Sequence, residues 1–94
     1  MKKITMIVMP GCPYCANARR AVRELKEEEP AYSGLVIETI DEVNEADKAK
    51  PYGNDYYYVP SLFMEGKKYY EAHPGESYEE CKNAVSRVFA AAVK

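Results

Sequence analysis

Two cysteines three positions apart, Cys12 and Cys15, carry the most chemistry in the chain. A thiolate is the nucleophile in disulfide exchange, and a second thiol nearly one helical turn away can close on the first, so the spacing suits a pair that cycles between dithiol and disulfide. The pair follows a short apolar run, Ile4 to Met9, ended by Pro10-Gly11, and Pro13 stands between the cysteines where the first turn of a helix tolerates proline best. Cys12 is therefore expected where a strand turns into a helix, facing unpaired backbone N–H groups and the positive end of the helix dipole, which favours the thiolate. Cysteines so placed have pKa values of about 3.5 to 7.5, against about 8.5 when free, and a modest depression is expected here. Cys15 opens the apolar stripe Cys15, Ala18, Val22 and Leu25 and is expected to be the more buried partner. The asymmetry assigns Cys12 as nucleophile and Cys15 as resolving thiol.

A lone C-x-x-C can also be half of a zinc site, but zinc takes four ligands, and His73 and Cys81 follow no usual ligand spacing, so no metal is expected. Cys81 falls on the stripe Cys81, Ala84, Val85, Val88, Phe89 and Ala92, the spacing of a core-facing helix, where a thiol behaves as a small hydrophobe. Three cysteines, an odd number, fit a reducing compartment better than a secreted domain stapled by disulfides.

The elements that must position the pair are legible in the patterning. Strands are expected over Ile4 to Met9, Leu35 to Ile40, Ser61 to Met64 and Lys67 to about Ala72, with a tight Glu65-Gly66 turn joining the last two. Helices are expected from Pro13 to about Glu29, from Asp41 to about Lys50, and after Ser77, which with Glu80 makes a capping box. A right-handed crossover makes the first two strands parallel and the tight turn makes the last two antiparallel. The order β-α-β-α-β-β-α thus describes an α/β sandwich with a mixed four-stranded sheet, and 94 residues suffice for a single domain, 1–94.

Composition narrows the partners. With 13 basic and 15 acidic side chains, nothing argues for nucleic acid or an anionic membrane. The apolar start is too short for a signal peptide and leads straight into Pro10, and no stretch approaches the roughly 18 apolar residues of a membrane span. A cytoplasmic monomer is the expectation.

Gly11-Cys12-Pro13-Tyr14-Cys15 after a strand, with Val59-Pro60 before another and Gly66 in the following turn, resembles the glutaredoxins of the thioredoxin superfamily. That resemblance implies a thioredoxin-like, glutaredoxin-type three-layer sandwich and reduction of protein or glutathione mixed disulfides. It implies glutathione as co-substrate, no tightly bound cofactor, and Val59-Pro60 as a cis peptide beside the cysteines. Pro13, Tyr14, Tyr58, Val59 and Pro60 would then border the substrate, with the Val59 N–H and C=O pairing an extended segment as an added strand would. The N–H groups around Glu76 and Ser77, at the start of the last helix, would seat a glutathione carboxylate, although Glu76 itself opposes an anion.

Departures from the family pattern bear on the electron donor. Many glutaredoxins carry lysine three residues before the first cysteine, where this chain has Met9, and the usual threonine before Val-Pro is Tyr58. The glycine pair after the fourth strand is missing, and the longer ending there is similar to thioredoxins, whose Trp-Cys-Gly-Pro-Cys motif this chain lacks. Two alternatives follow, a protein reduced by a flavin-dependent thioredoxin reductase and an iron-sulfur carrier. Proline after the nucleophile and an intact second cysteine favour the redox enzyme. Nine tyrosines without a tryptophan point to polar-tipped aromatic surface, and Tyr56-Tyr57-Tyr58 should place at least one ring near the groove.

Overall fold

Every residue of the first strand, β1 (Ile4–Val8), is buried. A strand hides all its side chains only when it has neighbours on both edges and layers on both faces. The computed structural model, which covers Met1–Lys94, shows both. β1 pairs in parallel with β2 (Ile37–Asp41), Ile4 opposite Ile37, and antiparallel with β3 (Ser61–Met64), Ile7 opposite Ser61. β3 continues antiparallel into β4 (Lys67–Glu71), giving the mixed order β2-β1-β3-β4. Glu65 and Gly66 both take positive φ, 53° and 78°, the backbone that a two-residue hairpin turn requires.

Helix α1 (Pro13–Glu28) packs along α3 (Tyr78–Ala92), and Tyr32 meets Phe89 edge-on beside them. Phe63 shares a sheet face with its cross-strand partner Thr5 and receives the rings of Tyr52 and Tyr56 from the segment after the short α2 (Ala46–Ala49). That segment therefore covers one face of the sheet, and the α1–α3 pair covers the other. The result is the expected three-layer α/β sandwich, and no helix is long and apolar enough to cross a membrane.

Among the differences from the sequence reading are two boundaries and one buried stripe, each with a local reason. The expected helix from Asp41 shrinks to Ala46–Ala49 because the Asp41 carboxylate accepts from the Val43 and Asn44 N–H groups at 2.9 and 3.0 Å, and the chain turns there. β2 starts at Ile37, two residues late, since the Leu35 N–H is spent on the Tyr32 carbonyl of a 3₁₀ turn. On α1 the buried stripe is Cys15, Ala18, Ala21 and Leu25, with Val22 only half-buried; a 3.6-residue period admits either neighbour, and packing chose the alanine. The stripe on α3, from Cys81 to Ala92, is buried throughout, and Ser77 and Glu80 form the reciprocal capping box.

Candidate active site at the start of the first helix

Gly11, at φ 69°, turns the end of β1 toward α1 in a backbone conformation that side chains disfavour. Cys12 then becomes the N-cap of α1, and Pro13 its first residue. The Cys12 Sγ takes the place that a serine or aspartate oxygen occupies at most N-caps, accepting the Cys15 N–H at 3.1 Å. On its other side the Cys12 thiol points to the Val59 carbonyl at 3.8 Å. Cys12 keeps 8% of its surface accessible and Cys15 none, so only the first sulfur can be reached from outside. Burial, and after it the hydrogen bond to Cys12, pushes the Cys15 thiol up to about 12. All three cysteines are free thiols, and Cys81 lies in the core with its pKa raised by burial.

The Val59-Pro60 peptide is cis, as the resemblance implied, and the Val59 N–H has no acceptor in the chain. Cys12, Pro13 and Tyr14 line a cleft of about 330 Å³ together with Tyr57, Tyr58 and Val59. Ala72, His73, Pro74, Met9 and Glu42 complete the lining. The Tyr14 hydroxyl accepts from the Gly75 N–H at 2.9 Å and so ties the motif to the turn before α3. Of the tyrosine run, Tyr57 and Tyr58 line the cleft, whereas Tyr56 packs against Phe63 and donates its hydroxyl to Glu42 Oε1 at 2.6 Å.

Three of the residues expected to border the substrate are not on the cleft lining. Pro60 is fully buried between lining residues, next to Val59 in the chain and with its carbonyl accepting the Ala72 N–H at 3.0 Å, and does not itself line the cleft. Glu76 turns inward, 7% exposed, and accepts the Tyr70 hydroxyl. Ser77 spends its hydroxyl on the Glu80 N–H and its own N–H on the Glu80 carboxylate, both at 3.1 Å, while the Glu76 N–H goes to the His73 carbonyl. The N–H groups of Glu76, Ser77 and Glu80 are thus all taken within the chain, and neither Glu76 nor Ser77 borders the cleft.

Two acidic residues that shape the cleft were missed from sequence. Glu71, at the end of β4, accepts the Tyr57 and Tyr58 N–H groups on Oε2 at 2.9 and 2.7 Å and the Lys68 ammonium on Oε1 at 2.5 Å. Burial works against its charge, but Lys68 and the two N–H groups together hold its carboxyl below the ordinary range. Glu42 follows β2 directly. No local spacing marked either, since the backbone that Glu71 holds lies more than ten residues earlier in the chain. No three of the His, Cys, Asp and Glu side chains gather as a group that could hold a metal ion.

No family model matches the chain. It is similar to the protein called Glutaredoxin 1 in Salmonella typhimurium and in Salmonella typhi, with 32% identity over 59 residues in each case, covering 62% of this chain and 68% of the relative. Among solved structures it resembles the first two thioredoxin domains of Saccharomyces cerevisiae Eps1p, with a TM-score of 0.53 at 17% identity. The match covers 94% of this chain but only 34% of that one, and at this identity it bears on the fold alone.

Proposed function

Because the chain belongs to the glutaredoxin family, a family of thiol-disulfide oxidoreductases, we propose that it reduces disulfides by a dithiol mechanism with Cys12 as nucleophile and Cys15 as resolving thiol. The observation that carries this reading is the Cys15 N–H aimed at the Cys12 Sγ at 3.1 Å, with Cys12 reachable and Cys15 sealed.

The Cys12 thiolate attacks one sulfur of the substrate disulfide; a Cys12–substrate bond forms, the old S–S bond breaks, and the leaving thiolate takes up a proton. Cys15 then loses its proton and attacks the Cys12 sulfur, releasing the second substrate thiol. The substrate gains two electrons and two protons, and the protein is left with a Cys12–Cys15 disulfide. Tyr14, Tyr58 and Val59 border the attacked sulfur in this reading, and the free Val59 N–H offers an extended substrate its first hydrogen bond. Disulfide-containing proteins are the substrates, the protein acts as a cytoplasmic monomer, and glutathione is the co-substrate that resets the pair. A flavin-dependent reductase is the second reading for that reset, and one observation favours it: neither lysine nor arginine lines the cleft to meet a glutathione carboxylate.

Trapping tests the assignment. After exposure to a peptide disulfide, Cys15→Ser should accumulate a covalent adduct on Cys12 and Cys12→Ser should form none. Adduct on Cys15 in the second variant would overturn the roles. Reducing the oxidised protein with glutathione alone, and separately with a reductase and NADPH, decides the donor.

A further inference from the structure

We infer that Glu42 makes the cleft select protein disulfides in which the attacked cysteine is flanked by a lysine or arginine, at the expense of glutathione; this rests on the oxidoreductase reading above. Glu42 is the one carboxylate residue on the cleft lining that also carries Cys12, and no lysine or arginine joins it there. It belongs to none of the chain's ion pairs, so its charge is not already answered from within.

The side chain is also held in place. It is half-buried, its N–H is tied to the Val8 carbonyl at 2.9 Å, and the Tyr56 hydroxyl donates to Oε1 at 2.6 Å, leaving Oε2 without a partner. Tyr56 is in turn braced edge-on against Phe63. A carboxylate fixed by a neutral donor keeps its full charge and loses little entropy when a cation arrives. His73, the remaining base on the lining, has its Nε2 turned toward Glu80 and Glu76, at 3.6 and 3.8 Å.

The other walls suit a peptide. Tyr57 and Tyr58 are 83% and 43% exposed and meet edge-on, their centroids 4.8 Å apart, offering apolar area and ring faces that attract a cation. Glutathione, a small and net anionic peptide, brings carboxylates to a site whose fixed charge is negative. A basic, partly apolar protein segment meets complementary charge and surface at once.

The test uses the reduced full chain and three disulfides: two peptide homodimers identical except for Lys or Glu beside the cysteine, and glutathione disulfide. Quenched alkylation reads the rate of attack by Cys12. The Lys peptide should react about tenfold faster than the Glu peptide, with glutathione disulfide near the slower one. Glu42→Gln keeps an acceptor for Tyr56, and in that variant the ratio should fall to about two or less; rising salt should shrink the wild-type ratio in the same way. Equal rates for the two peptides, or a preference that survives in Glu42→Gln, would overturn the inference while leaving the oxidoreductase reading intact. Failure of all three disulfides to react would instead remove that reading, and this one with it.

Discussion

The Tyr14 hydroxyl accepts a hydrogen bond from the Gly75 N–H, joining a residue inside the cysteine motif to a turn 61 positions later. Gly75 sits at φ 83° just after His73 and Pro74 of the cleft lining, so this bond ties two lining segments of the cleft together. Tyr14→Phe should cost about 0.5–1.5 kcal/mol in urea unfolding and raise KM more than it lowers kcat. An unchanged KM would mean that the ring alone, and not the bond, positions the turn.

Alkylation should follow the burial order. At pH 7 the reduced protein should lose Cys12 quickly to a small alkylating agent, whereas Cys15, with its thiol pushed up to about 12, should react slowly and gain about tenfold in rate per pH unit. A raised thiol contributes stability that is fully present below its unfolded value, about 8.5, and lost as pH climbs toward 12. The reduced protein should therefore weaken in alkali more than a Cys15→Ala variant. Peptide mapping that finds Cys15 modified first would contradict the assignment.

Glu71 holds the aromatic wall by two backbone N–H groups. Glu71→Ala should destabilise the chain by about 1–3 kcal/mol and release Tyr57 and Tyr58, seen as a higher KM and faster amide exchange at both residues. Protected amides in the variant would show that the wall stands without it.

Glu24 joins the two long helices. It accepts the Tyr78 hydroxyl at 2.5 Å and the Lys82 ammonium at 3.1 Å on Oε1, and pairs with Arg20 on Oε2 at 3.0 Å. The Tyr78 bond, then Lys82 and Arg20, lower its carboxyl to about 2. A depressed carboxyl contributes stability that is fully present above its unfolded value, about 4.3, and lost as pH falls toward 2. In acid titrations followed by circular dichroism, Glu24→Gln should flatten the loss across that window.

Met9, 38% exposed, lines the cleft without charge. Met9→Lys should speed alkylation of Cys12 at pH 6 to 7 and raise turnover with glutathione severalfold, since a cation there serves both the thiolate and an incoming carboxylate. No change in either rate would show that the helix start already sets the reactivity.

What the sequence determined by itself was local. Cys-Pro-Tyr-Cys after an apolar run places a sulfur at a helix start whatever surrounds it, and the capping box at Ser77 and the stripe from Cys81 to Ala92 follow from spacing alone. These depend on backbone geometry within one turn, so residue order suffices to read them. The tertiary structure decided which groups meet across the chain. Glu76 looked like part of an anion seat, yet its carboxyl is taken by Tyr70, and Glu42 and Glu71 became parts of the cleft through Tyr56, Tyr57 and Tyr58. A long acidic side chain goes to whichever donor the packing brings within reach, and the order of strands in the sheet, not the spacing of residues, brings those donors together.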